Sequence, residues 1–378
     1  MDKNTVLAFL VIALILMGMP YYYEMIGLAP PPPQEEGQEA DVESVKAPSR
    51  GSSSPALESL PVQKGGFGKR SGEDVVVKSL SEEKIVYVET PLYVAGVSSR
   101  GGGSLVSFVL KNYPLNDSSL VDLVVKGINQ SNLLIKFKDF SGESVILDNV
   151  WELSGRHVHK DTLYILNEVR SLDFFSTISG QIINKTFTFN PEGYTIELKM
   201  DLQSVGGKMM SQERFTLIWR GGVPSTEPNK SDEASFYAAN LSQGREITKH
   251  NGKDGNVVAS TGRTDWTAVR SKYFTAAIIP SSSSNYGEVS ARLGGPSAAN
   301  GNSKAPFYDM AVGFSSAAPA SAIVYLGPLQ YNNLKSLDVG LENSMSFGIA
   351  PIRGIGRGVL YLLKTFHGVI PNYGVVLI

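Results

Sequence analysis

The stretch Asn190-Pro191-Glu192-Gly193-Tyr194-Thr195-Ile196-Glu197-Leu198-Lys199-Met200 decides the fold class. Its first four residues are turn formers: Pro presets φ, Gly accepts positive φ, and Asn bonds its own backbone. Beyond them Tyr194, Ile196, Leu198 and Met200 alternate with Thr195, Glu197 and Lys199. A period of two puts the apolar set on one face of an extended chain and the polar set on the other. This is a tight turn leading into a half-buried strand.

The same grammar continues on both sides. Upstream lie Val75-Val76-Val77, Ile85 to Val88, Leu92 to Ala95, Leu105 to Leu110, Leu133 to Phe137, Thr162 to Leu166 and Thr186 to Phe189. Downstream lie Phe215 to Trp219, Tyr273 to Ile279 and Ala322 to Leu326. Polar or glycine-rich clusters separate them, among them Ser98-Ser99-Arg100-Gly101-Gly102-Gly103, a flexible turn between strands. No segment of helical period is read between Asp74 and Gly327. Residues 74–327 are therefore expected to form one large β domain, most simply two packed antiparallel sheets.

The flanks differ in kind. Val6 to Met19 carries no charge, and Pro20-Tyr21-Tyr22-Tyr23 extends the apolar run to roughly 18 residues, the lower range for a membrane span. Tyrosines at one end suit the membrane boundary. A cleaved signal peptide fits less well, because Lys3 is the only basic residue ahead of the run and no small-residue cleavage site follows it. Residues 1–28 are read as an uncleaved anchor. Its N-terminus is placed in the cytoplasm and the bulk of the chain outside, since acidic residues alone follow closely. Residues 29–73 begin with Pro30 to Pro33 and continue in acidic, Ser, Gly and Lys residues, so they form a disordered tether.

After Gly327-Pro328 the period changes. Leu329, Leu334 and Leu337 predict a short helix, and Gly340-Leu341-Glu342 with Phe347-Gly348 a bend. Pro351 to Ile370 then predicts an amphipathic helix, with Pro at its first turn and Gly368 at its end. Arg353, Arg357, Lys364 and His367 fall along one stripe, while Leu362, Leu363 and Phe366 belong to a broad apolar face. That composition suits a helix lying in the membrane interface, and these seven residues are the predicted membrane contacts. The rival is an ordinary surface helix packed on the β domain. Residues 328–370 are the junction region, and 371–378 the beginning of a second span. The sequence is read as the N-terminal portion of a larger membrane protein.

Composition narrows the function. At 378 residues a large core is available. A net charge of -2 argues against a general nucleic-acid binder, and the lack of cysteine excludes disulfides and thiolate metal sites.

Several stretches resemble the YidC family of bacterial membrane protein insertases, in the form with a large periplasmic domain. The start Met1 to Phe9 with Pro20-Tyr21-Tyr22 is similar to that family's first membrane helix. Ser271-Lys272-Tyr273-Phe274-Thr275-Ala276-Ala277-Ile278-Ile279-Pro280 is similar to a strand motif of its periplasmic domain. Tyr325-Leu326-Gly327-Pro328, Tyr331, Leu334-Lys335, Gly340-Leu341-Glu342 and Phe347-Gly348 resemble its return to the membrane. Asn372-Tyr373-Gly374 resembles the Asn-Trp-Gly that opens its second membrane helix, with Tyr in place of Trp. The resemblance implies a mainly β, antiparallel β-supersandwich of mutarotase-like fold in the periplasm, followed by an interfacial helix. It also implies insertion and chaperoning of newly made inner-membrane proteins, alone or with the Sec translocon. The implied partners are nascent membrane proteins, Sec subunits and the lipid bilayer. The family's groove arginine lies past Asn-Trp-Gly, and neither Arg353 nor Arg357 matches it. Such work needs no covalent chemistry, so no enzyme activity and no cofactor are expected.

The alternative is a membrane-anchored periplasmic sugar-binding or epimerase-like protein. It would need a general acid and base, commonly His with Glu, and the β domain holds His157, His159 and His250. His157 and His159 could share a strand face as metal ligands, but no third ligand is spaced for it, and Arg156 and Lys160 oppose a cation. An exposed strand edge is the simpler reading. Gly354-Ile355-Gly356-Arg357-Gly358 lacks the third glycine three residues on, the preceding strand and the βαβ unit of a dinucleotide loop. Trp151, Trp219 and Trp266 read as core or rim aromatics rather than sugar platforms.

Overall fold

The structure, a computed structural model, describes residues 82–126, 131–154, 161–250, 252, 255–293 and 306–345. The predicted anchor, tether, interfacial helix and second span lie outside the described residues, as do Val75-Val76-Val77, His157 and His159. Among the described residues, no helix is long and apolar enough to cross a membrane.

The described residues are mainly strand. In chain order these are β1 Ile85–Glu89, β2 Tyr93–Ser98, β3 Ser104–Pro114, β4 Leu120–Asp122, β5 Leu134–Lys138, β6 Ser144–Leu147 and β7 Glu152–Leu153. Next come β8 Thr162–Tyr164, β9 Arg170–Ile178, β10 Gln181–Phe189, β11 Thr195–Asp201, β12 Arg214–Trp219, β13 Ala238–Gln243 and β14 Glu246–Lys249. The last are β15 Val257–Thr261, β16 Trp266–Arg270, β17 Phe274–Pro280, β18 Ser284–Leu293, β19 Pro306–Ser315 and β20 Ala320–Pro328.

The deciding stretch is a strand as read. Ile196, Leu198 and Met200 on β11 are buried while Glu197 and Lys199 are exposed. β11 sits centrally, antiparallel to β10 on one side and β20 on the other. The sheet containing it has nine strands in the order β14-β13-β16-β17-β20-β11-β10-β9-β7. A six-stranded sheet, β15-β18-β19-β12-β5-β6, packs β18 and β19 against β13, β16 and β17. Apolar faces meeting across that interface are the sandwich that the sequence pattern predicts.

Two expectations need correction. There are three sheets among the described residues rather than two, the third running β4-β3-β2-β1-β8. Its β1–β8 pairing is parallel, which no local pattern announces. Short helices also interrupt the β domain, at Gln203–Met209 and Lys230–Ala234. The first contains Gly206, where an added Cβ would lie 2.3 Å from Ser316 Oγ, so close packing rather than helix propensity sets this turn. After β20 the chain turns helical as expected, at Tyr331–Lys335, and the bend at Gly340 leads into the 3₁₀ turn Leu341–Ser344.

Lys185 joins the three sheets. It projects from β10, is fully buried, and its Nζ donates to the carbonyl oxygen of Leu133 at the head of β5. The carbonyl oxygens of Gly101 and Gly103, in the β2–β3 turn, accept at 3.3 and 3.4 Å. The Phe187 ring lies 5.1 Å from Nζ, so its π face adds to the cage. Burial pushes the ammonium down to about 7, and the carbonyl oxygens facing it are what stabilise its proton there. Glu233 is the buried counterpart on the acid side. It accepts from Ser225 Oγ, from Thr226 N at 3.1 Å and from Glu227 N at 3.1 Å, and among the described residues no cation pairs with it.

Candidate functional site

A cleft of about 550 Å³ opens where one end of the nine-stranded sheet meets the segment that follows β20. Its walls come from three places: the end of β13 with the β13–β14 turn, the turns flanking β16 and β17, and residues 338–343. Asp265 organises the first wall. Its Oδ2 accepts from the backbone N–H of Arg245 at 2.8 Å and from Ser242 Oγ at 3.3 Å. Arg245 has φ +68 and follows Gly244 at +60, so the carboxylate stabilises a turn in the left-handed region.

Serines close the second wall. Ser281 to Ser284 join β17 to β18. Ser284 Oγ donates to the carbonyl oxygen of Thr264 and accepts from the Thr264 N–H, both at 2.8 Å. Ser282 Oγ donates to Ser321 O at 3.3 Å and accepts from Ser321 N at 3.0 Å. The turn is thereby fixed to the β15–β16 turn and to β20, and Ser281 and Ser283 stand exposed at the rim.

The third wall is the junction segment. The indole of Trp266 donates to Val339 O at 3.1 Å. Leu334 and Leu341 are fully buried on either side of that bond and seat the segment on the core. Asp338 at φ +54 and Gly340 at φ +74 give the reversal between them. Glu342 also lines the cleft, and its Oε2 is buried, with no hydrogen-bond partner among the described residues. Across the cleft the side chains of Arg245 and Arg263 are exposed and make no ion pair among the described residues. Asp265, Asp338 and Glu342 thus share one cavity with Arg245 and Arg263.

The candidates read from sequence are not among the described residues that line the cleft. Arg353, Arg357, Leu362, Leu363, Lys364, Phe366 and His367 lie outside the described residues. His250 is buried and committed: its Nε2 pairs with Asn256 O at 2.8 Å and its Nδ1 accepts from Gly252 N at 2.9 Å. It meets the Tyr308 ring edge-on at 5.6 Å. A histidine with both nitrogens engaged in the core is badly placed as an acid or base for a sugar. Trp151, Trp219 and Trp266 are all core residues, as read. Among the described residues, no three His, Cys, Asp or Glu side chains gather as metal ligands would.

Arg245, Arg263 and Glu342 were not singled out by sequence reasoning. Only Glu342 carried a signal, as part of the bend at Gly340-Leu341-Glu342; the arginines sit in turns that gather only through strand pairing.

The profile of the YidC periplasmic domain matches residues 85–355. Similar proteins include a membrane protein insertase YidC from Pelodictyon phaeoclathratiforme, 28% identical over 79% of this chain and 51% of that protein. Another membrane protein insertase YidC, from Syntrophus aciditrophicus, is 28% identical over 100% of this chain and 68% of its own length. The chain spans about half to two thirds of the curated relatives it matches. Among solved structures, a putative aldose 1-epimerase from Escherichia coli is 11% identical, with a TM-score of 0.35 over 65% of this chain and 100% of that one. An α-galactosidase from Lactobacillus brevis is 9% identical, also at 0.35, over 66% and 40%. Likenesses that slight decide nothing about function.

Proposed function

We propose, on the premise that this chain belongs to the YidC periplasmic domain family, that it is part of a membrane protein insertase of the bacterial inner membrane. The match over residues 85–355 carries this reading, because it takes in the sandwich and the first part of the junction that follows it. In this reading residues 1–28 anchor the chain, 29–73 tether it, and 74–327 form the periplasmic domain. Residues 328–370 are the elbow that lies along the membrane surface, and 371–378 begin the next span.

The physical task is to carry polar segments of a nascent protein through hydrocarbon. Unsatisfied backbone groups there cost several kcal/mol each. A hydrated path bounded by protein lowers that cost without making or breaking a covalent bond. The β domain's share is positional. Its strands are tied by long-range pairing and the Lys185 cage, so it offers a rigid base for the junction segment. Arg353, Arg357, Lys364 and His367 would meet lipid headgroups, and Leu362, Leu363 and Phe366 the acyl boundary. Nascent membrane proteins, and Sec translocon subunits where insertion is shared, are the partners this implies.

The test is complementation. The protein containing this chain is expressed in bacteria depleted of their own insertase, and insertion of a small coat-like membrane protein is followed by protease protection. Restored insertion is the expected result. A correctly localised protein that restores none would overturn the proposal.

A further inference from the structure

We propose that residues 329–345 form a strap over one face of β16 that is poised to lift, with Arg270 as the group that favours release. Strand period fixes the geometry. Trp266, Ala268 and Arg270 are spaced by two along β16 and so share a face. The strap enters beside the β16–β17 turn, where the Leu329 N–H donates to Tyr273 O at 2.6 Å. It reaches the other end of the strand at Val339, whose carbonyl oxygen accepts from the Trp266 indole. Between those two bonds it runs the length of β16 on the face that carries Trp266, with Leu334 fully buried midway. Arg270 lies under its first part.

That arginine is buried without compensation. It is 6% exposed, and among the described residues its Nε is buried with no hydrogen-bond partner and no carboxylate pairs with it. Burial alone holds its pKa below the usual value. Its partners across the sheet are Ala238 and Thr275. The first is apolar, and the hydroxyl of the second donates to Val269 O at 3.0 Å. The strap's own acids, Asp338 and Glu342, line the cleft at the Trp266 end of β16. Lys185 makes the contrast, since three carbonyl oxygens face its buried ammonium. A guanidinium keeps its charge, so Arg270 has no neutral form to fall back on. An unpaired buried charge destabilises the arrangement that buries it, which here is the seated strap.

The two ends of the strap are held unequally. At its entry Tyr325 Oη donates to Pro328 O at 2.7 Å, and Gln330 Nε2 to Tyr113 Oη at 3.0 Å. At its exit the Trp266–Val339 bond and Leu341 hold it, beside two residues of positive φ, Asp338 and Gly340. The strap therefore peels from Val339 toward Gln330, withdrawing Leu334 and returning water to Arg270. Lifting frees the chain past Ser344 to change direction relative to the sheet. The inference stands on the strap alone and does not depend on the insertase reading.

Hydrogen exchange, read by mass spectrometry on the full 378-residue chain in detergent, tests the strap. The amides of Leu334, Ser336 and Leu337 bond within it. In the wild type they should exchange at least about a hundredfold faster than those of β11, as opening short of global unfolding requires. Arg270→Met removes the charge and keeps an unbranched side chain, and should slow strap exchange at least about tenfold. Arg270→Lys retains a charge and should not slow it. Equal protection of strap and β11 in the wild type overturns the proposal. So does strap exchange that Arg270→Met leaves unchanged or speeds, or slowing by Arg270→Lys as large as that by Arg270→Met. An Arg270→Met variant that fails to fold by far-UV circular dichroism also overturns it, because the guanidinium would then be a group the core requires.

Discussion

The indole N–H of Trp266 donates to the backbone carbonyl of Val339 at 3.1 Å, and through this bond the core of the sheet holds the chain's exit. Trp266 is fully buried on β16, whereas Val339 lies between two residues in the left-handed region, Asp338 and Gly340. One end of the bond is fixed by strand pairing on both sides, so the junction takes its position from the sheet.

Trp266→Phe removes the donor and leaves the Val339 carbonyl without that partner. The expected loss is about 1–3 kcal/mol from the orphaned carbonyl, with a further contribution from the smaller ring. Limited proteolysis should cut sooner between Leu337 and Gly340. Unchanged cleavage together with unchanged stability would show that Leu334 and Leu341 alone seat the segment.

Lys185→Met keeps the aliphatic stem but leaves the carbonyls of Leu133, Gly101 and Gly103 facing an apolar group. Removing a buried ammonium recovers its desolvation cost, yet the orphaned carbonyls lose their donor at about 1–3 kcal/mol each. The second effect is the larger, so a net destabilisation of about 2 kcal/mol or more is expected in denaturant titrations at neutral pH. A Met variant as stable as wild type would refute the keystone role.

The same lysine makes a pH prediction. In the unfolded chain it keeps its proton up to the ordinary value of 10.5, and in the folded chain burial lowers this to about 7. Between those values the unfolded state binds more protons, so this group makes stability rise with pH across that window. Below about 7 the contribution is flat. Wild type should therefore gain stability relative to Lys185→Met between pH 7 and 10, as measured by urea midpoints. A constant difference would mean that the proton is retained throughout.

Gly102→Ala should be among the most damaging single changes in the β2–β3 turn. Its φ of +68 disfavours any side chain, and an added Cβ would lie 2.6 Å from Trp151 Cε3. Trp151 is fully buried and cannot yield cheaply. A loss of about 2–4 kcal/mol is expected, read as a lowered thermal midpoint. By contrast, Gly142→Ala meets open space at its own positive φ, so it isolates the backbone cost from the clash.

The proposed function puts the membrane association of the junction on its apolar face. Replacing Leu362, Leu363 and Phe366 with Ser should weaken vesicle binding of a peptide spanning residues 340–370 by well over tenfold, since each buried large side chain is worth about 1.5–3 kcal/mol. Equal binding would point to packing on the β domain instead.

Half-buried strands were legible because their burial alternates. β11 and β10 show this, with Ile196, Leu198 and Met200, then Phe187 and Phe189, in the core and polar residues between them. The helical turn at Tyr331–Lys335 and the bend at Gly340 were equally readable from leucine spacing and glycine. Strands without that contrast escaped notice. β16 is buried at every residue, and β13 is buried from Ala238 to Ser242 despite carrying Asn240 and Ser242. Alternation disappears when both faces are covered, and polar residues then look like loop.

Local pattern alone determined that the chain between the flanks is β, where its turns fall, and which residues of the readable strands face inward. It did so because side-chain direction follows from a backbone period that each segment carries by itself. Tertiary structure decided the rest: three sheets in place of two, a parallel β1–β8 pair, and Lys185 reaching Leu133 across 52 residues of sequence. It also decided that Arg245, Arg263 and Glu342 share a cleft. Sheet order and the meeting of distant turns arise from pairings between remote segments. The free energy of those pairings depends on register and on closing long loops, neither of which is written in any single stretch.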